Sequence, residues 1–321
     1  MMPQQVVIFG GTGFIGLHVV RACLAAGYRV SVVVRPSGNR EYLLPFQDDI
    51  TVLSGDFTVK SDVGRALTNA TDVITLVGST VPVTAVNDPT HELFATVLPY
   101  VQFLDVAVAC RVRRVVLASS GGAIYGNPLH LPIPEEHPLS PITPYGIAKV
   151  TIEQYCGFYA HQFGLDTRIL RLANPYGPGQ RVDAGQGIVG TTFLRVLESQ
   201  PITVYGDGRI SRDFVFVEDV ADAFVRALAY RGDERTFNIG SGEPTELRDV
   251  LTLIEEVTGR PIERRPLPAR PFDVRANVLD RSRARACLGW QPVTPFRDGL
   301  RRTWEAILAQ DQSRTIVDEG A

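Results

Sequence analysis

The stretch "VVIFGGTGFIG", residues Val6–Gly16, decides the fold of this 321-residue chain. Val6–Phe9 is wholly apolar and reads as a short buried strand. A helical periodicity starts at Phe14, runs to Ala26 and stops at Gly27, a natural helix cap. Between them stand Gly10, Gly13 and Gly16. Gly10 permits the tight turn, Gly13 lets the backbone approach a pyrophosphate, and Gly16 lets the helix pack close to the strand. The amides at the helix start, at Phe14 and Ile15, are then free to hold an anion. Strand before and helix after is the context that makes a glycine spacing a dinucleotide-binding turn.

Working outward, further strand-like runs fall at Val30–Val34, Thr51–Leu53, Val73–Val77, Val115–Leu117 and Arg168–Leu172, with helical stretches between them. Apolar strands alternating with helices imply a parallel sheet covered on both faces, hence an α/β, Rossmann-type doubly wound fold. From about Pro175 glycine and proline become dense ("NPYGPGQ", "YGDGR", "GSGEP", "RPLPARPF") and the steady alternation ends. Two units are expected: a dinucleotide-binding domain over 1–174, with about 212–242 packing back onto it, and a smaller α+β substrate lobe over 175–321.

Bulk properties exclude several classes. A net charge of −3 gives no footprint for nucleic acid. The basic leader and cleavage site of a secretory signal are missing, and no apolar run reaches membrane-spanning length, so a cytoplasmic protein with no membrane partner is expected. Cys23, Cys110, Cys156 and Cys287 lie far apart without CxxC spacing, and the five histidines are scattered, so reduced thiols and no metal site are expected.

The end of the second strand bears on the cofactor. An acidic residue there would bind the adenosine ribose diol, but the sequence reads Val34-Arg35-Pro36-Ser37. Arg35 could pair a 2′-phosphate, which leans toward NADP, or cover the adenine ring, which suits NAD equally. Asp56, with Phe57 beside it, is placed to meet the adenine; a cap for the helix beginning near Val59 is the alternative.

"SPITPYGIAK" carries the chemistry. Thr143 reads as a helix N-cap with Pro144 at the first helical position, which puts Tyr145 and Lys149 on one helical face. A neighbouring ammonium and a positive nicotinamide both favour the phenolate, so Tyr145 is expected to act as a general base with a lowered pKa.

With these motifs in hand, the chain resembles the extended short-chain dehydrogenases/reductases, in their NAD-dependent epimerase/dehydratase branch. The resemblance runs from about Val6 to Leu308, carried in order by GGTGFIG, SSGGAIYG, YGIAK, NPYGPGQ, RDFVFVEDVADA, FNIGSGEP and RPFDV. It implies a nucleotide-sugar substrate held in the second lobe. Asn174 and the arginines Arg212 and Arg270 would contact the diphosphate, and Tyr205 would pack on the base. Two fork-shaped cations suit a pyrophosphate. Arg212 could instead pair with Asp213 or Asp219. The resemblance also implies a homodimer formed through the helices near Pro89–Ala109 and Pro144–Phe163.

Dehydratases of this kind carry an Asp-Glu pair beside the wall hydroxyl and decarboxylases a Glu. Here the stretch is Gly122-Ala123, which leaves reactions needing only hydride and one proton. The expected function is a nucleotide-sugar 4-epimerase acting on a UDP-hexose or UDP-hexuronate. An NADPH-dependent 4-keto reductase is the alternative, and an inactive cofactor-binding protein the alternative of another class. That last reading is motivated by two departures. The family's wall hydroxyl falls at Gly121, or in some relatives at Ala123, and an expected asparagine is replaced by Thr96. Ser120 is the nearest hydroxyl and completes the expected catalytic set with Tyr145 and Lys149; strand alternation points Ser119 the other way.

Overall fold

The computed structural model describes residues 4–78, 88–180, 187–270 and 274–318. Six strands follow the expected order: β1 (Gln5–Phe9), β2 (Arg29–Val34), β3 (Ile50–Ser54), β4 (Asp72–Thr75), β5 (Arg114–Ser120) and β6 (Asp166–Leu172). With Thr236–Ile239 they form one seven-stranded sheet. Its spatial order is β3-β2-β1-β4-β5-β6 and then Thr236–Ile239, and every pairing is parallel. The order reverses between β1 and β4, and the crevice at such a reversal is where open α/β sheets bind ligands.

The sheet is apolar because both faces are covered. Helix α1 (Phe14–Ala25) and the helix Val217–Ala229 pack together on one face, over Val6, Ile8, Val32 and Ile74. Helix α2 (Lys60–Leu67), Leu98–Ala109 and Pro144–Phe163 cover the other, over Val7, Phe9, Val73 and Val115. β3, at the sheet edge, is largely exposed, the usual fate of an edge strand.

The helix Thr90–Ala109 is long and apolar enough to cross a membrane by length and composition, which reading for uninterrupted apolar runs does not reveal. Half of it is buried against the rest of the fold, while Leu93, Phe94 and Leu98 stay exposed. It contains a π-helical turn, Leu93–Val97, just before Pro99. A proline cannot donate to the carbonyl four residues back, and helices accommodate such a lost bond by local rewinding.

A third core lies beyond the sheet's carboxyl end. Helices Ile188–Leu197, Leu247–Thr258 and Phe296–Asp318 enclose Phe193, Leu251 and Trp304, with Phe193 and Trp304 stacked at 5.5 Å. Here Ser211–Phe216 pairs with Asn174–Tyr176, Pro244–Glu246 and Ala276–Asn277. A separate pair joins Ile202–Tyr205 to Arg264–Leu267.

Candidate active site

The glycine turn ends β1 at the β1/β4 crevice. Gly10 has φ +82°, a conformation costly for any residue with a Cβ. A Cβ at Gly16 would lie 2.1 Å from the Gly10 carbonyl oxygen, so close packing requires glycine there. A Cβ at Gly13 would meet only the Gly10 oxygen, at 3.2 Å, so its outer side is open. Gly13 is the α1 N-cap; no side chain caps the helix and no acidic residue stands in its first turn. The amides at Phe14 and Ile15 thus face an uncompensated positive helix end, the donor set a pyrophosphate needs.

Around this turn the other cofactor candidates differ in what they can offer. Arg35 is exposed at the end of β2 and makes no ion pair among the described residues. Asp56 Oδ1 accepts from the amide and hydroxyl of Thr58, both at 2.8 Å, while the N-cap of α2 is Val59 with no side-chain cap. The carboxylate therefore folds its own turn rather than capping the helix. The Phe57 ring is buried against Phe9, Tyr100 and Phe103, which leaves only its backbone for a ligand.

Tyr145 and Lys149 lie on the helix Pro144–Phe163, whose cap forms as expected: Thr143 Oγ1 accepts from the Gly146 amide at 3.1 Å. Lys149 is buried. Its Nζ donates to the Ala118 carbonyl at 3.2 Å and lies 5.7 Å from the Tyr145 ring centre and 5.9 Å from that of Tyr100. Burial lowers its pKa to about 8, against the opposing pull of Glu92 and Glu153. At Tyr145 burial raises the phenol, the Ser120 hydroxyl opposes that rise, and the Glu92 charge adds to it; the expected lowering requires a positive nicotinamide alongside as well. Desolvation leads because a phenolate formed in a dry site loses its hydration.

The wall carries the hydroxyl one residue earlier than the family position. The Ser120 hydroxyl lies near enough to Tyr145 to oppose the rise of its pKa, whereas Ser119 is buried and donates to Glu153 Oε1 at 2.5 Å. Glu153 is held by Arg171, at 2.7 Å for the shortest contact, and Arg171 also donates to Tyr125 Oη at 2.8 Å. A Cβ at Gly121 would sit 2.5 Å from Leu279 Cδ1, so a side chain there requires the Leu279 methyls to shift. Thr96 is buried within the π-helical turn.

Asn174, Tyr205, Arg212 and Arg270 come from four separate segments and line one cleft of about 390 Å³, together with Gln180 and Thr203. Arg212 does not pair with either aspartate. Asp213 accepts from Ser241, Gly242 and Leu279, and Asp219 from the amides of Val293 and Thr294. Arg212 donates instead to the carbonyls of Ser211 and Val274, each at 2.8 Å. Asn174 Nδ2 donates to the Asp213 carbonyl at 2.9 Å. The Arg270 guanidinium stacks 4.2 Å above the Tyr205 ring, so a base could use only the opposite face of Tyr205. His18 of α1 reaches this side too, its Nε2 2.9 Å from the Pro178 carbonyl oxygen.

Sequence reasoning missed Glu92, Tyr100 and Gln180. Gln180 closes the quoted "NPYGPGQ" motif, which could have flagged it; Glu92 and Tyr100 had no signal beyond lying near Thr96.

Residues 6–240 match the NAD dependent epimerase/dehydratase family. The chain is 34% identical over 313 residues to a UDP-glucose 4-epimerase of Mycolicibacterium smegmatis, covering 96% of this chain and 100% of that protein. A UDP-glucose 4-epimerase from Thermotoga maritima, solved with UDP-glucose, superposes with a TM-score of 0.90 at 32% identity, covering 96% of this chain and 99% of that one. That of Thermus thermophilus, solved with NAD, superposes with a TM-score of 0.86 at 34% identity, covering 94% and 98%. The chain belongs to the NAD dependent epimerase/dehydratase family, as an NAD-dependent enzyme of the nucleotide-sugar epimerase kind.

Proposed function

We propose that the protein inverts C4 of a UDP-hexose. The observation that carries this reading is the Ser120–Tyr145–Lys149 cluster beside a wall, Gly122-Ala123, that holds no acid or base. Such a site can move one proton to and from a hydroxyl but cannot assist loss of water or carboxylate. With the Lys149 ammonium and a bound nicotinamide cation beside it, Tyr145 would be held as the phenolate and would take the C4 hydroxyl proton, while Ser120 steadies the same oxygen. NAD bound at the glycine turn supplies the acceptor and donor of hydride. The same tyrosine returns the proton once the keto sugar presents its other face. Asn174, Arg212 and Arg270 hold the diphosphate while the sugar turns, and the free face of Tyr205 takes the base; this assigns sugar-nucleotide binding to the lobe beyond residue 174.

Purified protein incubated with UDP-glucose or UDP-galactose, without added cofactor, is expected to interconvert them. Interconversion of UDP-glucuronate and UDP-galacturonate alone would move the assignment to hexuronates, and no interconversion of either pair would refute it. Arg35 favours a second reading, NADP use and one-way reduction of a 4-keto sugar. Competitive titration of NAD and NADP checks it: a clear NAD preference removes that reading.

The assembly we infer is a homodimer. Leu93, Phe94 and Leu98 on one helix and Ile147 and Phe158 on the other are about half exposed or more, Phe94 reaching 71%. The two helices pack against each other, so these side chains form a shared apolar face that a second copy would cover. Sedimentation of Phe94→Asp should show a monomer, and an unchanged dimer would refute the assignment.

A further inference from the structure

We propose that the segment Val274–Leu279 is a strut that registers Ser120 against the substrate clamp, with Asn277 and Leu279 as its positioning residues. This rests on the roles given above to Ser120 and Arg212. One end of the segment holds the clamp: the Val274 carbonyl accepts from Arg212 at 2.8 Å, and Asn277 pairs with Arg212 in the parallel register of the second-lobe sheet. Its other end grips the wall. Asn277 Nδ2 donates to the Gly121 carbonyl at 3.0 Å, and Leu279 fills the space a Gly121 side chain would need, at 2.5 Å and 3.1 Å from its two methyl carbons.

The strut is itself fixed. The Leu279 amide donates to Asp213 Oδ2 at 3.1 Å, next in sequence to Arg212, and the Val278 carbonyl accepts from the Ile133 amide at 2.7 Å. Asn277 and Leu279 are both fully buried, so neither contact competes with water.

Gly121 is therefore held at its carbonyl and at its α-carbon by residues more than 150 positions away in sequence. Ser120, just before it, is tethered on the other side by Ser119 bound to Glu153. That fixes the backbone from which the Ser120 hydroxyl projects. Because the same short segment holds Arg212, the distance between the diphosphate clamp and the proton-transfer site is set by one rigid piece.

The test is a double-mutant cycle on Gly121→Ala and Leu279→Ala, read in kcat, KM and Tm. Gly121→Ala should lower kcat about tenfold to a hundredfold, the scale of an ångström's misplacement, with KM within about twofold. Leu279→Ala should cost less. In the double variant, removal of the leucine methyls admits the new Cβ, so kcat should return to the Leu279→Ala level. Leu279→Met should stay near wild type. If Gly121→Ala does not fold, Asn277→Ala takes its place and should lower kcat with KM unchanged.

Additive effects of the pair, a neutral Gly121→Ala or a change confined to KM would overturn the strut while wild-type turnover upholds the activity. An inert wild type would instead sink the activity reading. The strut is then read from Tm alone, where loss of coupling between the two substitutions overturns it.

Discussion

The two ends of the active site are made differently. The cofactor end is made of backbone: Gly10 in a left-handed turn, Gly16 against a carbonyl oxygen, and helix amides with no side-chain cap. The proposed sugar end is a cleft made of side chains drawn from segments spread between Asn174 and Arg270. A backbone site writes its requirements into a few consecutive residues, because turn, close approach and helix start are local. A side-chain site is assembled by tertiary packing and leaves no spacing to read. The first should fail all at once when a single atom is added, and the second should fail by degrees.

Gly16→Ala is the sharpest break of the first kind. Its Cβ would meet a backbone oxygen that cannot move without opening the turn, so nicotinamide retained on purification should fall below detection. Retention equal to wild type would show that the turn tolerates a Cβ. Tyr145→Phe lies at the junction of the two ends. It should lower kcat by about 10²–10⁴-fold while leaving cofactor content unchanged. Arg212→Ala breaks the sugar end alone and should raise KM by about tenfold to a hundredfold, the worth of a hydrogen bond to a charged group. A fall in kcat with KM unchanged would remove Arg212 from ground-state binding.

The smallest expected effect is in pH dependence. Lys149 carries its charge below about pH 8 and loses it as pH rises through that value, so kcat/KM should decline on the alkaline side. Glu92 favours the ammonium, and Glu92→Gln should move that decline to lower pH. A decline unmoved by the substitution would show that Glu92 does not act on Lys149.

The same division governs what could be read from the sequence. The strands β1–β6, the helix cap at Thr143 and the Tyr145–Lys149 face follow from local pattern. Asn174, Tyr205, Arg212 and Arg270 were identified by resemblance, not by spacing, and the fold brings them to one cleft. Leu279 carried no signal, because its meaning lies in Gly121, far away in sequence. The burial that raises the Tyr145 phenol is illegible for a related reason: helix spacing shows the ammonium beside it but not the dry surroundings. The division of the apolar helix Thr90–Ala109 into a buried and an exposed side likewise appears only once its packing is known.

The contact between His18 and Pro178 has a consequence of its own. His18 stands one turn into the helix that begins at the pyrophosphate turn, while Pro178 belongs to the loop that leads to Gln180 in the sugar cleft. Burial holds the imidazole pKa down, so near neutral pH it is uncharged and Nε2–H can donate to the carbonyl. A lesion at His18 would thus be pleiotropic. Though remote from the reacting carbon, it would register in assays of both ligands, as if two separate sites had been damaged at once.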